Sequence, residues 1–190
     1  MRYRHANTYD SRQGTVAVLA CFLMIGMLGL VAFAVDLGYM ANSQTELQRT
    51  ADATALAACE QLRTFSATPG TPLSNSTAAS DVAAVASQYA ALNPVCGSSP
   101  QLASNDVVIG YMANPGQQGA TINTTSTNSF NAVQITVRRS EGGNGLVPAF
   151  FSKIFGQTGE AAAATSTAAF LGNAGGYGIP STATGPGSGT

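Results

Sequence analysis

The chain carries few charges, and beyond its first five residues it has no histidine. Asp, Glu, Lys and Arg make up 9% of the 190 residues, against a hydrophobic fraction of 45%. That pairing excludes a disordered chain, which needs many charges and few apolar groups. A formal net charge of −1 leaves no electrostatic footprint for nucleic acid. His5 is the single histidine, so His-based triads, His general bases and His metal sites are removed from the rest of the chain. The carboxylates show no D-x-D-x-D-G spacing, and Gly142-Gly143-Asn144-Gly145 lacks the Lys-Ser/Thr of a phosphate-binding loop and reads as a turn. No cofactor or metal is expected. Arg138-Arg139 is too small a basic patch for nucleic acid and reads as a solvated strand end.

Proline is absent from residues 15–63, and what fills that stretch is apolar. Gly14 to Val35 has no charge and no strong hydrogen-bonding side chain beyond Thr15. As a helix it spans about 33 Å, close to the hydrocarbon thickness of a bilayer. Eleven of these residues are Leu, Ile, Val or Phe. Together they favour insertion by roughly 3 to 7 kcal/mol. A buried helix with no polar face needs protein on every side, which a chain of this size cannot supply. Arg2, Arg4 and Arg12 precede the span against Asp10, whereas Asp36, Glu46, Arg49 and Asp52 follow it. The positive-inside rule then puts residues 1–13 in the cytoplasm and 37–190 outside. The rival reading is a signal peptide cleaved after Ala34, because Ala32-Phe33-Ala34 fits an A-x-A site. The apolar run exceeds the usual h-region and continues without a turn signal, which favours an uncleaved span.

Met40, Leu47, Ala51, Ala55, Ala58 and Leu62 fall on one helical face, so span and stripe form one rod of roughly 70 Å. Thr64 to Thr77 is a Ser/Thr/Pro/Gly loop. Ser80 reads as the N-cap of a second helix with Val82, Val85, Tyr89 and Leu92 on its inner face, ended by Asn93-Pro94. Val107 to Met112 and Ala132 to Arg139 read as strands, with Thr121 to Ser126 a weaker one. Pro148 to Phe155 suggests a short helix that buries Phe150, Phe151, Ile154 and Phe155. Glu160 to Leu171 balances Ala against Thr and Ser and is assigned as a strand, because the sheet needs another member to cover the long helix. Residues 172–190 form a Gly/Ser/Thr/Pro tail. The expected fold is α+β and pilin-like. A long N-terminal transmembrane helix (14–35 in the membrane) continues into an extracytoplasmic domain, 36–171, with a second helix and a small antiparallel sheet.

Cys21 lies in the span, where packing accounts for it. Cys59 and Cys96 lie outside, near the ends of the two helices. In an oxidising compartment they suggest one disulfide, worth about 3 to 4 kcal/mol if unstrained; two free thiols are the alternative. Asp36 marks the end of the span. It is also a candidate assembly contact, since charges at membrane depth seek partners such as a basic group on a neighbouring subunit.

Three stretches together resemble the TadG-like family of Flp (tight-adherence) pilus-assembly proteins, which share an N-terminal region with TadE-like proteins. The first is Gly14-Thr15-Val16-Ala17-Val18. The second is Ala34-Val35-Asp36-Leu37-Gly38-Tyr39, followed by Glu46-Leu47-Gln48 and Ala51-Asp52-Ala53-Thr54-Ala55-Leu56-Ala57. The third is Asn131-Ala132-Val133-Gln134-Ile135-Thr136-Val137-Arg138, then Val147-Pro148-Ala149-Phe150-Phe151 and Ile154-Phe155-Gly156. The resemblance implies a non-enzymatic, membrane-anchored structural component of a bacterial cell-envelope machine. Its partners would be the membrane, other pilus-assembly proteins and, through the N-terminal helix, copies of itself. Prepilin-type processing would cut after Gly14 and expects Glu five residues on, where Leu19 stands. The alternatives are a secreted or surface-tethered binding module without a pilus role, and a membrane-tethered hydrolase. The hydrolase requires a deep pocket with a Ser–Lys153 or carboxylate pair.

Overall fold

The structure is a computed structural model and describes residues 13–66, 76–126 and 129–171. The expected cytoplasmic segment before Gln13, most of the loop expected between the helices (67–75) and the tail at 172–190 lie outside the described residues.

Helix α1 runs from Gln13 to Ser66, 54 residues without a break. Its chemistry changes along its length. From Gly14 to Val31 every side chain is exposed among the described residues. The most apolar window has a mean hydropathy of 2.7, so this end is long and apolar enough to cross a membrane. From Ser43 onward the same helix becomes the spine of a core. Leu47, Ala51, Ala55, Ala58 and Leu62 are all at 1% exposure or less, as their i+3/i+4 spacing predicts, while Met40 is half-buried.

Helix α2, Ser76–Leu92, packs along α1. It begins four residues before the expected cap at Ser80 and stops, as expected, before Asn93-Pro94. The face it buries differs from the expected one. Val82, Ala86 and Ala90 are fully buried, whereas Tyr89 and Leu92 are 44% and 68% exposed. Against the alanines of α1, alanines on α2 allow a closer backbone approach than larger side chains would, and the close approach gains more contact.

A three-stranded antiparallel sheet lies against α1. Its strands are β1 (Val107–Gly110), β2 (Ala132–Arg139) and β5 (Ala162–Ala169), in the order β1-β2-β5. Ile135 stands between Val107 and Ser166 in the register. Val133, Ile135 and Val137 alternate inward and join Leu47, Leu62 and Val82 in one core. Each such side chain contributes about 1.5–3 kcal/mol. A two-stranded ribbon, β3 (Val147–Pro148) with β4 (Gly159–Glu160), extends the domain toward the apolar end of α1.

Two expectations about the sheet are corrected. Residues 121–126 form no strand; Asn123 makes only an isolated bridge to Tyr111. This segment crosses directly over Gly110, where a Cβ would sit 2.4 Å from Ile122 Cγ2 and 2.7 Å from the Asn123 carbonyl oxygen. The crossing also ends β1 at Gly110 rather than Met112. The second correction concerns Arg138 and Arg139, which are not a solvated strand end. Arg138 forms an ion pair with the buried Asp106. Arg139 is 7% exposed and donates to the carbonyls of Val95 (3.1 Å) and Leu146 (3.2 Å). Exposed-strand chemistry does not apply because the loops at 95–106 and 144–146 close over this end of β2 and supply acceptors.

Candidate functional site

The region just beyond the apolar run of α1 carries a polar stripe in the same helical periodicity as the core stripe above it. Asp36, Tyr39, Ser43, Glu46 and Thr50 are spaced by three and four residues, which aligns them on one face. Each holds a segment that comes from far along the chain.

Asp36 holds the loop that follows β3. Its Oδ1 accepts from the N–H groups of Phe150 (2.9 Å) and Phe151 (3.2 Å), and its Oδ2 from the N–H of Ser152 (2.7 Å) and the Ser152 hydroxyl (2.5 Å). These donors belong to the entry of a 3₁₀ turn, Ser152–Phe155, so Asp36 works as an N-cap supplied by another element. The Ser152 hydroxyl, aided by the backbone N–H groups and opposed by desolvation, lowers the Asp36 pKa to about 2. Gly156, with φ of 84°, closes the turn in the left-handed region. Tyr39 adds an edge-to-face contact on Phe150, with ring centroids 4.9 Å apart.

One and two turns further on, α1 holds the loop after α2. Glu46 accepts the N–H of Cys96 (2.7 Å), and the Cys96 thiol donates to Ser43 Oγ (3.1 Å). Thr50 donates to the Asn93 carbonyl (3.1 Å). Cys96 sits at φ 51°, a strained setting for a non-glycine residue that these contacts hold in place. Burial, then the adjacent Cys96 thiol and the Glu46 charge, push Tyr39 above its ordinary pKa.

The sequence-predicted residues fare differently. Asp36 is engaged within its own chain. Cys59 and Cys96 are both free and are not brought together. Cys96 touches Ser43, and Ser43 lies 16 residues from Cys59 on one unbroken helix, about 24 Å away. A disulfide needs Cα atoms within about 7 Å. The reason is that the end of α2, not its start, returns to the base of α1. Lys153 is exposed on the 3₁₀ turn, beside a serine already bonded to Asp36. Phe150, Phe151, Ile154 and Phe155 were expected to be buried; instead they are 52%, 42%, 80% and 87% exposed. The Asp36 contacts pull this loop down beside the apolar end of α1, away from the core.

Grooves flank the domain among the described residues, and two of them adjoin α1. One, of about 830 Å³, lies between the outer face of α1 near Asp52, Leu56 and Arg63, the loop at 115–120, and strand β5. The other, of about 780 Å³, runs along Ile25 to Phe33 and is walled on its far side by Phe151, Ile154 and Phe155. Among the described residues no group of three or more His, Cys, Asp and Glu side chains converges as a metal site would require.

Sequence reasoning missed Ser43, Glu46 and Thr50. Their spacing with Asp36 was a usable signal, but their partners lie 43 to 53 residues away and left no local trace. In comparison with known proteins, the Flp pilus-assembly TadE/G-like family model matches residues 14–64, and the Tad-like Flp pilus-assembly model matches residues 66–168. No curated protein and no solved structure shows significant similarity to the chain.

Proposed function

The chain belongs to the Tad-like Flp pilus-assembly family, and we propose that it is a membrane-anchored structural component of the pilus machine. In this reading α1 is fixed in the membrane through residues 14–35, the N-terminus is cytoplasmic, and the α+β domain at 36–171 stands outside. The observation that carries the anchor is the change of character along one helix: exposed apolar side chains up to Val31, then a buried stripe from Ser43. Such a helix leaves its first half in need of a non-aqueous surrounding while its second half is satisfied by its own domain. The role is mechanical. The helix fixes the domain at a set height, and the polar stripe from Asp36 to Thr50 locks the lower loops to the helix. The exposed apolar half of α1 also offers a surface for other pilus-assembly proteins or for a second copy.

The mature N-terminus, read by mass spectrometry from membrane and sheared-surface fractions, tests this reading. An intact N-terminal region found only in membranes supports a permanent anchor. A start at Thr15 in the sheared fraction would mean a processed subunit that enters the filament. A start at Val35 would overturn the anchor and favour a secreted binding module.

A further inference from the structure

The loop Phe150–Phe155 is placed where a second membrane contact belongs. We infer that it dips its apolar side chains into the outer leaflet beside α1, so that the domain rests on the bilayer at two points rather than one. This rests on the anchor reading above.

Three observations carry it. The first is continuity. Phe151, Ile154 and Phe155 wall the same groove as Ile25 to Phe33, so any lipid that surrounds the exposed span also reaches these side chains. The second is depth. The loop is bonded to Asp36, the first residue after the apolar run, which puts it at the edge of the hydrocarbon rather than up in the domain. The third is backbone satisfaction. Each unpaired backbone polar group carried toward hydrocarbon costs several kcal/mol, so a segment at its edge gains from pairing them first. Here Asp36 takes the N–H groups of Phe150, Phe151 and Ser152. The N–H groups of Ile154, Gly156 and Gln157 bond to carbonyls inside the turn. Six backbone N–H groups between Phe150 and Gln157 are thus paired before any lipid is met.

The chemistry of the loop agrees. Ile154 and Phe155, at 80% and 87% exposed, are a large apolar pair left open among the described residues. Lys153 stands between these apolar residues, and its long stem allows the ammonium to rise to lipid phosphates while the neighbours point down. A second copy of α1 in the groove is the competing occupant, and it would shield the same side chains from lipid.

The chain has no tryptophan, so each introduced Trp is a unique reporter. Full-length Phe155→Trp, Ile154→Trp, Phe22→Trp and Leu92→Trp proteins are reconstituted in phosphatidylcholine–phosphatidylglycerol vesicles. The lipids are brominated either near the head group or near the bilayer centre. The expected result is loss of most emission at positions 154 and 155 with shallow bromines, at position 22 with deep bromines, and little loss at position 92. Quenching at 22 but not at 154 or 155 would overturn the inference while leaving the anchor standing. No quenching at 22 would overturn the anchor itself, and the inference with it. Equal quenching at 92 and 155 would also overturn it, because the whole domain would then lie on the lipid.

Discussion

On α2 it is Ala86 and Ala90, not Tyr89 and Leu92, that turn to the core, and this can be tested by exchanging sizes. Ala86 is fully buried between α1 and α2, and Leu92, near the same helix's end, is 68% exposed. Ala86→Leu forces three extra carbons into a site with no free surface, which costs about 1–3 kcal/mol through shifted backbones and poor rotamers. For a domain of this size that corresponds to a midpoint lowered by roughly 3–15 °C. Leu92→Ala removes a side chain that is mostly in water, so its effect stays within about 0.5 kcal/mol. Thermal melts of the full chain in detergent, followed by the near-ultraviolet circular dichroism of the tyrosines, compare the two. If Leu92→Ala lowers the midpoint more than Ala86→Leu does, α2 buries its larger residues, and the packing described here is wrong.

Other substitutions address the loops. Gly110→Ala places a Cβ against the Ile122 side chain and the Asn123 backbone and should cost about 1–3 kcal/mol in urea unfolding; a neutral result would mean that residues 122–123 do not cross there. Asp106→Ala strands Arg138 and frees the Ala103 N–H, but Arg138 is part-exposed, so water offsets some of the loss and about 1–3 kcal/mol is expected. Asp36 links loop order to pH. Its folded pKa, about 2, lies below the ordinary 3.8, so its contribution is fully present above 3.8 and is lost as pH falls through the folded value. Amide protection of Phe151 and Ser152, corrected for intrinsic exchange, should therefore hold from neutral pH down to that range and then fall. Asp36→Ala should remove it at every pH without altering α1, and protection that survives in this variant would show that the carboxylate does not hold the loop.

The long helix, the strand at 132–139 and the core stripe on α1 were legible because their signals are local and periodic. Leu47 to Leu62 repeats at helical spacing, and Val133, Ile135 and Val137 alternate with polar neighbours. The strand at 162–169 is ambiguous in propensity, and only the need to cover α1, which it does, marks it as a strand. What misled were places where tertiary context outweighed composition. PAFFSKIF reads as core because it is aromatic, yet Asp36 holds it beside the apolar end of α1, where its large side chains stay exposed. Tyr89 and Leu92 read as an inner face because they are large, yet Ala86 and Ala90 permit the tighter packing. Asp36 itself was recognisable from its position after the span. Its actual partners, more than 110 residues away, were not.

Family and helix character together point to service in pilus assembly from the membrane. It is tested most directly by counting Flp pili by electron microscopy in cells lacking the gene, complemented either with the full chain or with a chain lacking residues 14–35 but exported by a cleavable signal peptide. Pili are expected to be lost without the gene, to return with the full chain, and not to return with the exported, anchorless domain. Undiminished piliation without the gene, or full restoration by the anchorless domain, would contradict it.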